Sequence, residues 1–221
     1  MELQIENYKD KHEYISENGI RSVVYLMDCL EGLKQIPDKY FELAIVDPPY
    51  RNMEENQPTK DMRNNGTMCR FGNKPNEQYF ELLNYKSKEQ IIWGANNFQL
   101  PPFKGFVVWK KKTIGIEFTM SMCEIASLSD GLGTISKYIE IAPQDKLRFH
   151  PTQKPVALYE WLIKNYAKDN DKILDTHLGS GSSRIAAHKA NLPFMGFELD
   201  EDYFKASVKR FERYVSQKSL F

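Results

Sequence analysis

Three short stretches of the 221-residue chain carry residues whose types and spacing could do chemistry. The first is Asp47-Pro48-Pro49-Tyr50, directly after the apolar run Leu43 to Val46. A carboxylate there can accept hydrogen bonds from an amine, and a tyrosine ring offers a flat face to a base. The two prolines fix φ, remove two backbone donors and push the residue before each towards extended geometry, so acceptors here are set before any ligand arrives. An ordinary Pro-Pro turn, with Asp47 capping locally and Tyr50 half buried, explains the tetrapeptide equally well on its own. The second stretch, Asp175-Thr176-His177-Leu178-Gly179-Ser180-Gly181-Ser182, is an acid, a glycine turn and a helix start. Glycines there let backbone N–H groups approach a ligand, although a tight strand-to-helix turn needs the same residues. Gly-Lys-Ser/Thr is absent and Arg184 stands where a third glycine would complete the dinucleotide fingerprint, so neither phosphate-binding pattern applies. Glu198 follows about 20 residues on, the distance at which an acid grips ribose hydroxyls. A ribose acid without a phosphate grip points to a nucleoside lacking phosphates, of which S-adenosylmethionine is the common example. The third stretch, His150-Pro151-Thr152-Gln153-Lys154-Pro155, opens extended and enters a helix with Pro155 in its first turn. Its plain reading is a helix start with an exposed lysine.

These residues need a frame. Leu43 to Val46 does not alternate apolar with polar, which predicts a strand covered on both faces. Residues 22–28 read as another strand, and residues 28–36 as a short helix with Asp28 and Glu31 at capping-box spacing. Residues 51–75 are polar and without period, and a loop so long is usually functional or disordered. A helix is expected over 76–89, a strand over 90–98 turning at Gly94, and a strand over 105–111. Residues 118–129 fit strand or helix, and 130–149 are irregular. The last third reads as a helix after Pro155, then strand, glycine turn and helix, then a strand to Glu198 and a helix capped by Asp200 with Phe204, Val208 and Phe211 on one face. Strands alternating with helices predict an α/β fold, a mostly parallel sheet with helices on both faces, whose ligands sit at the carboxyl ends of the strands.

Composition narrows the class. With 41% hydrophobic residues the chain can bury one sizeable core, and 30 basic residues balance 30 acidic ones. It therefore lacks the global cationic field of a non-specific nucleic-acid binder, and any such surface must be local. Cys29, Cys69 and Cys123 are an odd, widely spaced set, and with His12, His150, His177 and His188 they form no ligand spacing. That fits a reducing compartment and no metal. A polar N-terminus and no apolar run of spanning length predict a cytoplasmic protein with no membrane partner.

Taken in order, the segments at 47–50, 150–155, 175–183 and 194–204 resemble the exocyclic amino-group DNA methyltransferases of the circularly permuted β class, most closely the adenine-N6 enzymes. Residues 80–98, 105–111 and 123–129 occupy the places of that family's middle motifs, and the resemblance spans roughly residues 20 to 215. It implies a Rossmann-like S-adenosylmethionine-dependent methyltransferase fold in one domain over 1–221, with a catalytic half at 20–112, a short target-recognition segment at 113–148 and a cofactor-binding half at 149–215. By position, Asp47, Pro48, Pro49 and Tyr50 would hold the target amine. Asp28 and Cys29 would lie near the adenine of the cofactor, with helix capping as the other role for Asp28. Pro151, Thr152, Lys154 and Pro155 would line its methionine side. Asp175, His177, Gly179, Gly181 and Ser182 would form its loop, and Glu198 would take the ribose hydroxyls. His177 departs from the usual aromatic and Met27 from the usual small residue.

The chemistry so implied is catalysis by position. Hydrogen bonds from both amine protons to the Asp47 carboxylate and the Pro48 carbonyl favour a pyramidal nitrogen, with proton loss following transfer. Tyr50 would stack on a base flipped out of double-stranded DNA. Arg51, Lys60, Arg63, Arg70, Lys74 and the run Trp109 to Lys112 could touch phosphates, although Glu54, Glu55 and Asp61 make the first loop equally readable as a solvated polar surface. The short segment 113–148 implies a short recognition sequence, or a homodimer that reads it jointly. A separate restriction endonuclease or a phage setting could accompany such a chain, which has no room for a nuclease domain. Asp47 favours adenine-N6 over cytosine-N4, whose enzymes more often carry serine there. RNA or protein nitrogen methylation, and a catalytically silent DNA-binding module of the same fold, are the other readings.

Overall fold

Apolar runs without alternation become the inner strands of a single sheet in the computed structural model, which describes residues 3–52, 72–143 and 148–218. Among the described residues the strands are β1 Asp10–Ile15, β2 Arg21–Leu26, β3 Phe41–Val46, β4 Ser87–Trp93, β5 Gly105–Lys111, β6 Cys123–Leu128, β7 Lys137–Ile141, β8 Ile173–Asp175 and β9 Phe194–Glu198. They lie in the order β1-β2-β9-β8-β3-β4-β6-β5-β7. From β2 through β4 every neighbouring pair is parallel, whereas β1 and β6 run antiparallel to their neighbours.

Both faces of the central strands are buried, as their composition requires. Val24, Leu26, Leu43 and Ile45 pack beneath α3 (Val156–Tyr166) and α4 (Ser182–Lys189) with Leu158, Leu162 and Ala187. The alternate residues Val23, Tyr25, Ala44 and Val46 face α1 (Cys29–Lys34) and α2 (Glu77–Lys86) through Leu33, Tyr79 and Leu83. Helix α5 (Glu201–Lys218) adds Phe204 to the first layer. Each such side chain contributes roughly 1.5–3 kcal/mol by leaving water.

The order of strands positions the site. Strands β8 and β9, late in the chain, lie between β2 and β3, so the half bearing the Pro-Pro tetrapeptide precedes the half bearing the glycine turn: a permuted Rossmann-like sheet. Leu43 and Ala44 pair with Ile173 and Leu174, which sets the carboxyl ends of β3 and β8 side by side. The chain leaves β8 towards β9 and leaves β3 towards β4, so this is a topological switch point, where open α/β sheets bind ligands.

Several elements differ from expectation. The helix expected over 76–89 stops at Lys86, because Ser87 already pairs with Phe41 and the apolar Ile91 to Trp93 must follow it into the sheet. Residues 123–128, which fitted either element, are a strand with Ala126 and Leu128 buried between β4 and β5. The stretch 130–149 contains β7, an edge strand with only Ile139 well buried, so its signal is weak. β1 is likewise polar and one-sided. Pro155 is the N-cap of α3 rather than a first-turn residue. Asp28 caps α1 by accepting from the Leu30 N–H at 2.7 Å, but Glu31 pairs with Lys34 instead of reaching back. The loop residues Lys60, Arg63 and Arg70, with Glu54, Glu55, Asp61 and Cys69, lie outside the described residues.

Candidate active site

Asp47 emerges from β3 with Pro48 buried behind it, and the rigid pair turns Tyr50 back over the carboxylate. The Tyr50 hydroxyl lies 2.7 Å from Asp47 Oδ1, and Lys154 Nζ lies 2.5 Å from Oδ2. The Tyr50 ring rests on the backbone of Gly94, where a Cβ would come within 2.1 Å of its Cε1, and meets Phe98 edge to face at 6.1 Å. Gly94 has φ +67°, so β4 can turn there without a side chain blocking the ring. Each part of this corner comes from a different element: β3, the turn after β4, and the segment leading into α3.

The charges form a chain. Lys154 also pairs with Glu124 of β6 at 3.0 Å, and Glu124 Oε1 pairs with Lys111 of β5 at 2.6 Å. Lys154, which the resemblance puts at the cofactor and the plain reading leaves exposed, is 3% exposed at its side chain. Burial alone would lower its ammonium's pKa, but the Asp47 and Glu124 carboxylates outweigh that and raise it. Burial pushes Asp47 up against the pull of Lys154, with Glu124 adding repulsion. Glu124 is also penalised by burial, yet Lys154 and Lys111 together hold it down at about 2. One carboxylate is thus disposed to take a proton and the other stays ionised, the pattern that separates acid–base roles in a site. Burial, with the two carboxylates, keeps the Tyr50 phenol neutral, so it is a hydrogen-bond donor.

The glycine-turn side of the site is built around β8 and β9. Asp175 is buried and accepts from the His177 N–H at 3.0 Å and from the Ser183 hydroxyl, so it shapes the loop from within. Burial raises it to about 7. Gly179 and Gly181 both have positive φ, which lets the turn enter α4. Glu198 ends β9 with Oε2 taking the Gly179 N–H at 2.7 Å and Oε1 taking the Leu199 and Asp200 N–H groups at 2.9 Å, and burial raises it too to about 7. Cys29 opens α1 just past β2, half-buried, and burial with the neighbouring Asp28 raises its thiol to about 12. His177 is neutral, with burial lowering it to about 4; its Nδ1 lies 3.0 Å from the Thr176 hydroxyl and its ring meets Tyr79 edge to face at 5.3 Å. The hydroxyls of Ser182 and Ser183 turn inwards to the Lys154 carbonyl and Asp175, leaving the start of α4 without a hydroxyl grip for phosphate.

The structure brings the expected residues into one neighbourhood through partners that sequence reasoning missed. His150 lies over Gly179, its ring nitrogen 3.3 Å from where a Cβ would be, and its ring packs tilted against that of Tyr203 with centroids 4.3 Å apart. Arg210 of α5 donates to the Ser180 carbonyl and the Ser182 hydroxyl at 2.9 Å. Thr152 is exposed, while Pro151 and Pro155 are buried. Lys111, read as a phosphate contact, is tied to Glu124 and lies over Trp109, and Lys110 donates to the carbonyls of Lys111 and Ile114. Of that run only Lys112 is exposed. Glu124 had no signal beyond being an acid inside an apolar run.

The sequence pattern of the family described as DNA methylase matches residues 109–209. The type II methyltransferase M2.LlaDCHI of Lactococcus lactis subsp. cremoris is 38% identical over 64 residues, 29% of this chain and 24% of that protein. The type II methyltransferase M.HinfI of Haemophilus influenzae is 22% identical over 250 residues, 87% of this chain and 69% of that protein. The first match therefore spans about a quarter of its relative's length. Among solved structures, the cytosine-N4-specific PvuII DNA methyltransferase aligns with TM-score 0.62 at 16% identity over 86% of each chain. The M1.HpyAVI–SAM complex aligns with TM-score 0.51 at 22% identity over 85% of this chain and 98% of that one. No helix among the described residues is long and apolar enough to cross a membrane. The fold shared with these two structures is the Rossmann-like methyltransferase fold, its motif-bearing segments stand in the permuted order, and residues 109–209 match the DNA methylase family of N6 and N4 methyltransferases.

Proposed function

We propose that this chain is an S-adenosylmethionine-dependent DNA methyltransferase acting on the N6 amine of an adenine flipped out of double-stranded DNA. The observation that carries the reading is the Asp47-Pro48-Pro49-Tyr50 corner at the switch point, side by side with the glycine turn of β8. The residues fit the cofactor by their chemistry. Glu198 offers a carboxylate to a ribose diol beside a turn without Cβ atoms, Asp28 and Cys29 lie at the next strand end, and the inward serines suit a nucleoside without phosphates. S-adenosylmethionine would supply an activated sulfonium methyl there.

The chain's own residues do the rest. Asp47 and the Pro48 carbonyl accept the amine protons and orient the nitrogen, with the prolines holding both acceptors in advance. The raised pKa of Asp47 lets it hold the proton released afterwards. Tyr50, backed by Gly94 and Phe98, presents a ring to the base, and stacking of this kind is worth about 1–3 kcal/mol. Residues 20–112 serve catalysis, 149–215 hold the cofactor, and 113–148 read the target from a cytoplasmic enzyme.

A second reading, cytosine-N4 methylation, is favoured by the alignment with the cytosine-N4-specific PvuII enzyme. The same corner would orient either exocyclic amine, and Asp47 in the first motif position favours adenine. Tritium transfer from labelled S-adenosylmethionine to unmethylated genomic DNA, followed by nucleoside chromatography, decides between them. Label in N6-methyladenine is the expected result; label in N4-methylcytosine moves the base, and absence of label with cofactor bound rejects the reading in favour of a silent module.

A further inference from the structure

Both oxygens of Asp47 are engaged in this structure, Oδ1 by the Tyr50 hydroxyl and Oδ2 by Lys154. An amine arriving at Asp47 must compete with donors already in place. A buried hydroxyl that loses its acceptor is destabilising unless another stands ready. Glu124 Oε2 is that acceptor, 3.1 Å from the Tyr50 hydroxyl and 3.0 Å from Lys154 Nζ. Its other oxygen is held by Lys111, and Glu124 itself is fixed in β6 opposite Trp109 of β5.

We propose that Glu124 is a positioning residue for the transfer, the alternative acceptor that takes the Tyr50 hydroxyl and steadies Lys154 when a target amine claims Asp47. The inference rests on the methyltransferase reading. The exchange turns the Tyr50 O–H about its C–O bond from one oxygen to another already within hydrogen-bonding distance, so no covalent bond changes. Lys154 keeps the ionised Glu124 carboxylate as a partner at 3.0 Å if Asp47 takes a proton. Lys111 completes the device by keeping Glu124 ionised and its Oε2 aimed at the site.

The test is a double-mutant cycle in single-turnover methylation of DNA, with S-adenosylmethionine affinity and thermal melting measured on each variant. Glu124→Gln preserves shape but cannot satisfy Lys111 and Lys154 together, and should slow transfer by about tenfold or more with cofactor affinity within about twofold of wild type. Tyr50→Phe removes the hydroxyl that needs parking, so adding Glu124→Gln to it should cost only about two- to threefold further. Lys111→Met is the second variant, leaving Glu124 in place but loosely held, with a smaller loss of the same rate. Rates for Glu124→Gln and Lys111→Met within about twofold of wild type, or losses for Glu124→Gln and Tyr50→Phe that simply multiply, overturn the inference alone. A wild-type chain that binds cofactor and transfers nothing to DNA overturns the methyltransferase reading and the inference with it.

Discussion

Asp47 and Glu124 share one lysine yet are driven in opposite directions, because burial dominates at Asp47 whereas Glu124 has a second cation in Lys111, which Asp47 lacks among the described residues. That difference makes Asp47 the group that exchanges partners. Asp47→Ala should reduce methyl transfer by more than about 10²–10³-fold while cofactor binding, measured by calorimetry, stays near wild type. Near-normal methylation by this variant would put the reacting amine elsewhere. Lys154 has a different signature. Replacing it by Met leaves two carboxylates buried without their shared cation, a loss of about 3–5 kcal/mol, which for a chain of this size lowers Tm by roughly 6–20 °C. Adding Asp47→Asn should recover part of that fall, since it removes the stranded charge while Glu124 keeps Lys111. A melt unchanged by Lys154→Met would mean that the ion pair is not formed in solution.

At the scale of elements, the turn after β4 decides where the Tyr50 ring can go. Gly94→Ala places a methyl inside that ring's volume and on a backbone at φ +67°, so Tyr50 must leave its seat. The expected result is loss of base capture, read as 2-aminopurine fluorescence in a duplex, with cofactor affinity preserved; unchanged flipping would separate Tyr50 from base stacking. The connection between β5 and β6 carries Ile116, Phe118 and Met120, all half or more exposed apart from Met120 at 49%, next to the exposed Lys112. If residues 113–148 read the target, Ile116→Ser with Phe118→Ser should weaken DNA binding without altering cofactor affinity, by gel shift and calorimetry. The central strands and the acids ending them could be read directly from residues such as Leu43 to Asp47 and Ile173 to Asp175, because burial on both faces leaves a continuous apolar run. β1 and β7 could not, since an edge strand with no buried side chain in six, or one in five, has hardly any pattern to read. Nor could Glu124 or Lys111, whose meaning depends on the β5–β6 register. Lys154 was assigned to the site by motif, but its place on Asp47 comes from the fold of the chain between them.

Across the whole molecule, two pairs of buried groups set opposed dependences on pH. His150 and His177 are held down at about 3 and about 4, chiefly by burial, so between roughly pH 4 and 6.5 the unfolded chain binds protons that the folded chain refuses. Their contribution to stability is fully present above pH 6.5 and is lost as the pH falls. Asp175 and Glu198 are raised to about 7, so from roughly pH 4 to 7 the folded chain holds protons that the unfolded chain has released. Their contribution is lost as the pH rises through that range. Each group carries up to about 1.4 kcal/mol per pH unit, so the two pairs largely cancel one another between about pH 5 and 6.5, with His12, lowered by burial, and Asp47, raised by burial, adding to the two opposed sides. Removing one group should expose the slope. Urea denaturation of Glu198→Gln is expected to show stability rising with pH in this range, and that of His177→Phe to show it falling. Parallel slopes in the two variants would mean that the shifts are not present in solution. Ligand binding follows the same logic. If Glu198 takes the ribose diol as an ionised carboxylate, cofactor affinity should rise by up to about tenfold per pH unit below 7 and level off above it. In Glu198→Gln the affinity should be weaker and insensitive to pH across the same interval, whereas a wild-type affinity that is flat from pH 6 to 8 would remove Glu198 from the ribose site.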